Sequence, residues 1–348
     1  MKILVTGAAG FIGSKIMFML SEKGEDVVGI DNLNDYYDIR LKYGRLKECG
    51  LYNPTGEDEW PYAQATSSTR FPQCRFIRLD IDDKESLDRL FDKEGFDYVV
   101  NLAAQAGVRY SITNPYEYLK SNMDGFLNIL EACRHNHIKH LVYASSSSVY
   151  GMNEKVPYSE EDKTETPVSL YAASKKSDEL MAHSYAKLYN IPVTGLRYFT
   201  VYGPWGRPDM SPMLFAQAIS KGKQISVFNN GDMVRDFTYI DDIAEGTMRV
   251  LYNSPVQKSH SFSVPYRIYN IGCSHPVKLM DFISEIETAL GKKAVKHFLP
   301  MQPGDVYQTN ADTTRLESEI GYKPEIGLHE GIGRFIEWFN SEDNPLKD

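Results

Sequence analysis

Short apolar runs recur along the first 200 residues, separated by segments whose apolar residues follow a helical period. "KILVT" (2–6), "VVGID" (27–31), "RFIRLD" (75–80), "YVVNLA" (98–103), "HLVYAS" (140–145) and "VTGLRY" (193–198) read as strands. "SLDRLFD" and "DGFLNILEACRHN" between them read as helices. Unbroken apolar strands divided by amphipathic helices predict an α/β fold, with a doubly wound parallel sheet covered on both faces. The stretch "LYNPTGEDEWPYAQATSSTRFPQ" (51–73) breaks the pattern. It is polar, rich in turn-formers and without period, so an inserted loop is expected there. Beyond about residue 200 the elements shorten and Pro-rich turns appear. A sheet domain over 1–198 and a smaller mixed α/β domain over 199–348 follow as the expected division.

Composition narrows the partners. The chain has 348 residues, and 38 basic against 47 acidic side chains leave a net charge of −9. A basic face for nucleic acid or for a membrane surface is therefore not expected. An anionic small molecule stays open, provided a few Arg or Lys converge locally. No apolar run reaches the roughly 18 residues of a membrane span. "MKILVTGAAG" is broken by glycine too early for a signal peptide. The four cysteines are scattered and form no CxxC pair, which suits free thiols in a reducing compartment; a cytoplasmic protein is expected.

The glycines carry the first chemistry. "TGAAGFIG" places Gly7, Gly10 and Gly13 directly after the first strand and at the start of a helix. Such a turn lets backbone approach a pyrophosphate, with the helix N-terminus facing the anion. Asp31 ends the second strand, 18 residues beyond Gly13, and is followed by Asn32 rather than Arg. An acid there accepts hydrogen bonds from a ribose 2′-OH and repels a 2′-phosphate, so NAD is expected rather than NADP. The alternative is a purely structural turn with Asp31 as a cap.

Downstream, "SLYAASKK" (169–176) sets Tyr171 and Lys175 four apart on one helix face. A surface pair is one reading of this spacing. The other is chemical: positive charge from Lys175 and an oxidised nicotinamide lowers the phenol's pKa, and the phenolate takes a proton from a sugar hydroxyl as hydride leaves the same carbon. "RHNHIKH" (134–140) could suggest a metal cluster, but no carboxylate or Cys stands at ligand spacing, and a solvated turn is expected.

Taken together, the glycine triplet, "LAAQAGV", "SSSSVYG" and YxxxK resemble the extended short-chain dehydrogenase/reductase family of nucleotide-sugar enzymes, over nearly the whole chain. The resemblance implies a Rossmann-type sheet to which the chain returns over about 236–272. It also implies a triad of Ser146, Tyr171 and Lys175, and a cofactor site that adds Phe11, Ile12, Asp80, Ile81, Leu102, Ala103, Ala104 and Tyr198 to the glycines, Asp31 and Asn32. Related dehydratases carry an Asp-Glu pair after the catalytic Thr, and related decarboxylases a nearby Glu. Ser147 and Ser148 stand there instead, which leaves 4-epimerisation. "DNLNDYYDIRLK", "AAQAGVRYS", "FTVYGPWGRPDM" and "RDFTYIDDI" resemble UDP-glucuronate 4-epimerases, which turn UDP-glucuronate into UDP-galacturonate through a 4-keto sugar.

On that resemblance Ser147, Ser148, Thr200 and Arg207 would hold the sugar carboxylate, with Arg109 as a further candidate. Val227 would lie near uracil, Arg235 at the diphosphate and Asp305 at the uridine ribose. Arg207 has a second reading as a loop salt bridge, and Arg235 as a partner of Asp236 or Asp241. A homodimer is implied, paired through the helices that follow 114 and 169. Asn101 departs from the usual His of "HLAAQAG", a change expected to alter one hydrogen bond beside the cofactor strand. Two alternatives stay open: a 4-epimerase of a neutral or N-acetylated UDP-hexose, and a non-catalytic NAD-binding scaffold.

Overall fold

A computed structural model describes residues 1–56, 59–255, 264–302 and 304–347. Its centre is an eight-stranded sheet. Seven strands are β1 (Lys2–Thr6), β2 (Asp26–Asp31), β3 (Ala65–Ser67), β4 (Cys74–Arg78), β5 (Tyr98–Asn101), β6 (His140–Ser146) and β7 (Val193–Tyr198). The eighth, Tyr266–Ile271, forms one edge, and the order across the sheet is Tyr266–Ile271, β7, β6, β5, β1, β2, β4, β3. Every pairing is parallel except β3 with β4. Apolar residues on both strand faces require cover on both sides. One face packs under α1 (Phe11–Glu22) and the helix Ile240–Tyr252, the other under Lys84–Glu94, Gly125–His135 and Leu170–Tyr189.

Strand ends follow polar contacts. β5 stops at Asn101, short of the expected 103, because the Thr6 hydroxyl accepts hydrogen bonds from the Leu102 and Ala103 N–H groups at 3.1 and 3.0 Å and draws the chain off the ladder. Thr6 in turn donates to Asn101 Oδ1 at 2.6 Å, so the residue that departs from His makes a buried bond beside the glycine turn. The stretch 51–73 is more ordered than expected of a loop. Ala65–Ser67 closes the sheet edge against β4, and Trp60 is buried edge-on against Phe76 with ring centroids 5.0 Å apart. Three polar-flanked residues are too few to show a period, yet a short polar strand is how sheets blunt an open edge.

"RHNHIKH" also differs from a solvated turn. Its last residue, His140, opens β6 fully buried, with Nδ1 2.9 Å from Leu251 O and Nε2 2.9 Å from Thr194 Oγ1. Burial pulls its pKa down to about 4. His135 faces Glu131 instead, and His137 sits in the turn at φ 50°.

A third core lies beyond β7. Helices Ser211–Ser220, Leu279–Leu290 and Leu328–Asn340 enclose it, with Phe237 and Phe282 stacked at 3.9 Å. The paired segments Thr200–Tyr202 and Phe237–Tyr239 lead from the sheet into this core.

Candidate active site

The parallel strands all end on one side, where open α/β sheets bind ligands. A cavity of about 1120 Å³ opens there and reaches into the smaller core. Every site residue expected from the sequence lines it except Val227. Val227 is fully buried in the third core, because the strand Gln224–Val227 alternates and Val227 shares the inward face of Ile225. Ser226 and Phe228 face the cavity in its place.

Gly7 has φ +65°, and a Cβ there would meet Ala103 N at 2.8 Å; one on Gly13 would meet Gly7 O at 2.1 Å. The turn therefore admits only glycine. The helix it opens has no side-chain cap, so its first N–H groups remain for an anion. Asp31 lines the cavity and takes the second of its expected roles, the structural cap. Its carboxylate accepts hydrogen bonds from the Ala9 N–H at 3.2 Å and the Leu33 N–H at 2.8 Å, which pins the glycine turn to the end of β2. It is also 3.3 Å from the Lys42 ammonium, a cavity residue that no spacing in the sequence singled out. Asn32 donates to Asp80 at 2.9 Å.

Across the cavity, the Ser169 hydroxyl caps the helix Leu170–Tyr189 by accepting the Ala172 N–H at 3.1 Å, and this sets Tyr171 and Lys175 on its first two turns. Lys175 is buried and donates to Ala144 O and Asp178 Oδ2, each at 3.0 Å. Ser146 Oγ accepts from the Ser148 N–H at 3.2 Å and the Ser148 hydroxyl at 2.8 Å, so its own proton is directed elsewhere. Ser148 thus spends its hydroxyl proton on Ser146, while Ser147 and Thr200 also line the cavity. Asn122, another residue without a sequence signal, joins the loop after β5 to this helix. Its amide donates to Gln105 O at 3.1 Å and Ser174 Oγ at 2.9 Å. It lies in a segment of wide helical turns, Leu119–Asp124, a distortion common at functional sites.

The arginines divide. Arg207 turns its fork onto Asp209, with Nε–Oδ1 3.0 Å and Nη2–Oδ2 2.5 Å, beside the Tyr36 ring. The loop salt bridge is therefore real, and Arg207 still lines the cavity. Tyr36 donates to the same carboxylate at 3.2 Å; burial and the Asp209 charge push its pKa up to about 12. Arg109 lies 3.5 Å from Asp305 and stacks over Phe228.

Arg235 contacts neither Asp236 nor Asp241. Asp236 accepts the N–H groups of Cys273, Ser274 and Ala311, and Asp241 pairs with Lys15 and Arg334. The Arg235 guanidinium instead donates to the carbonyls of Val234, Tyr307 and Val306 at 2.7–3.0 Å. Burial pulls its pKa below the usual range, with the Asp305 charge opposing. Among the described residues its hydrogen bonds go to carbonyls, and a cation so held is well suited to an incoming anion.

The model of the NAD dependent epimerase/dehydratase family matches residues 3–272. The chain belongs to this family. Among its relatives, Protein CapI of Staphylococcus aureus is 47% identical over 97% of this chain and 98% of its own length. A probable UDP-glucuronate 4-epimerase of Rhizobium meliloti is 42% identical over 98% of this chain and 97% of its own. The UDP-glucuronic acid 4-epimerase of Bacillus cereus, solved with UDP-glucuronic acid and NAD, superposes with a TM-score of 0.83 at 35% identity, covering 97% of this chain and 98% of that one. For an NAD-dependent epimerase/dehydratase the glycine turn, the uncapped helix start and Asp31 fit the dinucleotide, and the Rossmann-type sheet is the fold shared with these relatives.

Proposed function

We propose that this chain is a UDP-glucuronate 4-epimerase that makes UDP-galacturonate. The observation that carries the reading is the far end of the cavity. Tyr171 and Ser146 are flanked by Ser147 and Ser148, which supply hydroxyls and no carboxylate, so the site can move one hydroxyl proton and little else. The full-length likeness to the B. cereus enzyme, which binds UDP-glucuronic acid, supports the same choice.

Bound NAD supplies the acceptor and donor for the hydride at C4. Tyr171 takes the C4 hydroxyl proton and later returns it, Lys175 holds the phenolate side positive, and Ser146 directs its free proton at the sugar oxygen. Arg235 neutralises the diphosphate, while Asp305 and Arg109 bracket the uridine ribose. Thr200, Ser147 and the outer edge of Arg207 hold the C5 carboxylate. The pairing of Arg207 with Asp209 favours a second reading, a neutral UDP-hexose, because it removes net charge from that corner. Incubation with UDP-glucuronate, UDP-glucose and UDP-N-acetylglucosamine, followed by chromatography, separates the two. Conversion of UDP-glucose alone would overturn the first.

A 4-ketone is β to the C5 carboxylate, and β-keto acids lose CO₂ when the breaking bond lies parallel to the ketone π system. The site must keep that carboxylate hydrogen-bonded near the ring plane. Thr200→Val removes one donor while its strand stays tied through Thr200 N–H to Asp236 O at 3.2 Å. Epimerisation is expected to slow about 10-fold, the scale of one hydrogen bond to a charged group, with a larger share of 4-keto-pentose and CO₂ in the products. Wild-type rate with no CO₂ would place the carboxylate elsewhere.

A homodimer is part of this reading. Tyr116 and Leu119 after residue 114, with Leu180 and Leu188 after 169, are exposed apolar residues on helices expected to pair. Light scattering is expected to give twice the 39.6 kDa chain mass; a monomer at working concentration would exclude it. Four unpaired cysteines suit a cytoplasmic setting, and among the described residues no helix is long and apolar enough to cross a membrane.

A further inference from the structure

Behind Lys175 the same helix buries an ion pair that proton transfer at Tyr171 does not itself require. Asp178 follows Lys175 by three residues, so both face the sheet. Their side chains are 2% and 4% exposed, and Oδ2 lies 3.0 Å from the ammonium. The other carboxylate oxygen, Oδ1, is buried with no hydrogen-bond partner among the described residues. A salt bridge built only for stability would satisfy both oxygens, because a half-satisfied buried carboxylate is costly. Burial accordingly pushes Asp178 up to about 6, with Lys175 pulling it back.

We propose that Asp178 is a positioning residue for Lys175: it holds the ammonium against Ala144 O and offsets part of the positive charge that Lys175 directs at Tyr171. The proposal rests on the reading of Tyr171 and Lys175 as the proton-transfer pair. The contacts give it two separate effects. Lys175 has three N–H donors; Asp178 and Ala144 take two, which orients the third. The anion also weakens the field at the phenol for as long as it stays ionised.

The surroundings isolate this effect. From its own helix Asp178 faces Lys175 and Glu179. Burial raises Glu179, but Arg197, with Lys176, outweighs it and keeps the carboxyl below its usual range. From β6 and the edge strand it faces Tyr143 and Tyr266, whose hydroxyls bond each other at 2.9 Å and which burial keeps neutral. Asp178 is then the carboxyl of this group that titrates near the working pH. As pH falls through its pKa it loses its charge, Lys175 acts on Tyr171 undiminished, and the phenolate is favoured just as acid opposes it.

The test uses the NAD-bound enzyme, and its first readout needs no sugar. The ionisation of Tyr171 is read as the ultraviolet phenolate signal, taken as the difference between each enzyme and its Tyr171→Phe counterpart. Asp178→Asn keeps shape and an acceptor oxygen but removes the charge, and is expected to move that titration about one pH unit lower. The acid limb of kcat is expected to move the same way, with KM for UDP-glucuronate changed less than about twofold. Asp178→Ser also removes the charge and serves if the Asn variant fails to fold, and Asp178→Glu is expected to restore the wild-type titration. If the phenolate is seen but does not move in the charge-free variants, the proposal is overturned while the acid–base pair stands. If substituting Tyr171 changes no titration, the acid–base pair itself is wrong and the proposal falls with it.

Discussion

Tyr171→Phe is expected to lower epimerisation about a thousandfold, within the range that general acid–base catalysis contributes, while the protein still carries its NAD. The ring stays in place against Tyr118, whose centroid lies 6.1 Å away, and only the ionisable oxygen is lost. Ser146 cannot replace it. Its oxygen already accepts two hydrogen bonds from Ser148, and an aliphatic hydroxyl is a poor base at neutral pH. Product chromatography gives the rate, and absorbance of the denatured supernatant gives the bound nucleotide. Turnover close to wild type would mean that another group takes the C4 proton. Loss of NAD together with activity would mean that the tyrosine serves binding instead.

The largest effect on stability is expected at Arg197. Its fork grips Glu179 at 2.8 and 2.9 Å, Ser145 donates to the same carboxylate at 2.7 Å, and the remaining arginine nitrogen donates to the Tyr150 hydroxyl at 3.0 Å. Tyr150 passes the chain on to Asn270 at 2.6 Å. The network thereby ties β6, β7, the edge strand and the helix of Tyr171 together, one residue from Ser146. Arg197→Met would leave the buried Glu179 carboxylate to the Ser145 hydroxyl and to Lys176 at 3.1 Å, and is expected to cost about 3 kcal/mol, the lower end for a broken buried pair, read as a lower denaturant midpoint. The double variant with Glu179→Leu is expected to recover much of that loss, because it removes the buried charge that has lost its closest cation. The pH dependence has a definite sign. The folded-state pKa of Glu179 is depressed, so its contribution is present above the ordinary carboxylate range and is lost as pH falls through the depressed value. A single variant as stable as the wild type, or a double variant no better than the single, would show that the pair contributes nothing.

Local chemistry made the sheet and the dinucleotide turn legible. A buried parallel strand has to be apolar on both faces, and a backbone that must pass within contact distance of another has to be glycine, so both leave marks in consecutive residues. The Tyr171–Lys175 pair was readable for the same reason, since one helical turn separates them. Even Val227 carried its own correction: with Ile225 two residues before it in "QISV", strand alternation puts both on one face, and that face proved to be the core.

What only the tertiary structure decided are the meetings of residues distant in sequence. Lys42 reaches Asp31 because a helix folds back over the glycine turn. Asn122 reaches Ser174 across 52 residues, and Arg197 reaches Glu179 from the neighbouring strand. Arg207 could have faced a ligand or Asp209, and its spacing to the aspartate was compatible with either. Asp178 stands on the same helix face as Lys175, so their contact was readable in principle. Whether that contact would be solvated and weak, or buried with one oxygen unsatisfied, depended on β6 and the edge strand closing over it. A sequence states which charges exist and which are neighbours along the chain. The dielectric around each charge, and with it the pKa and the chemistry, is set by what packs on top.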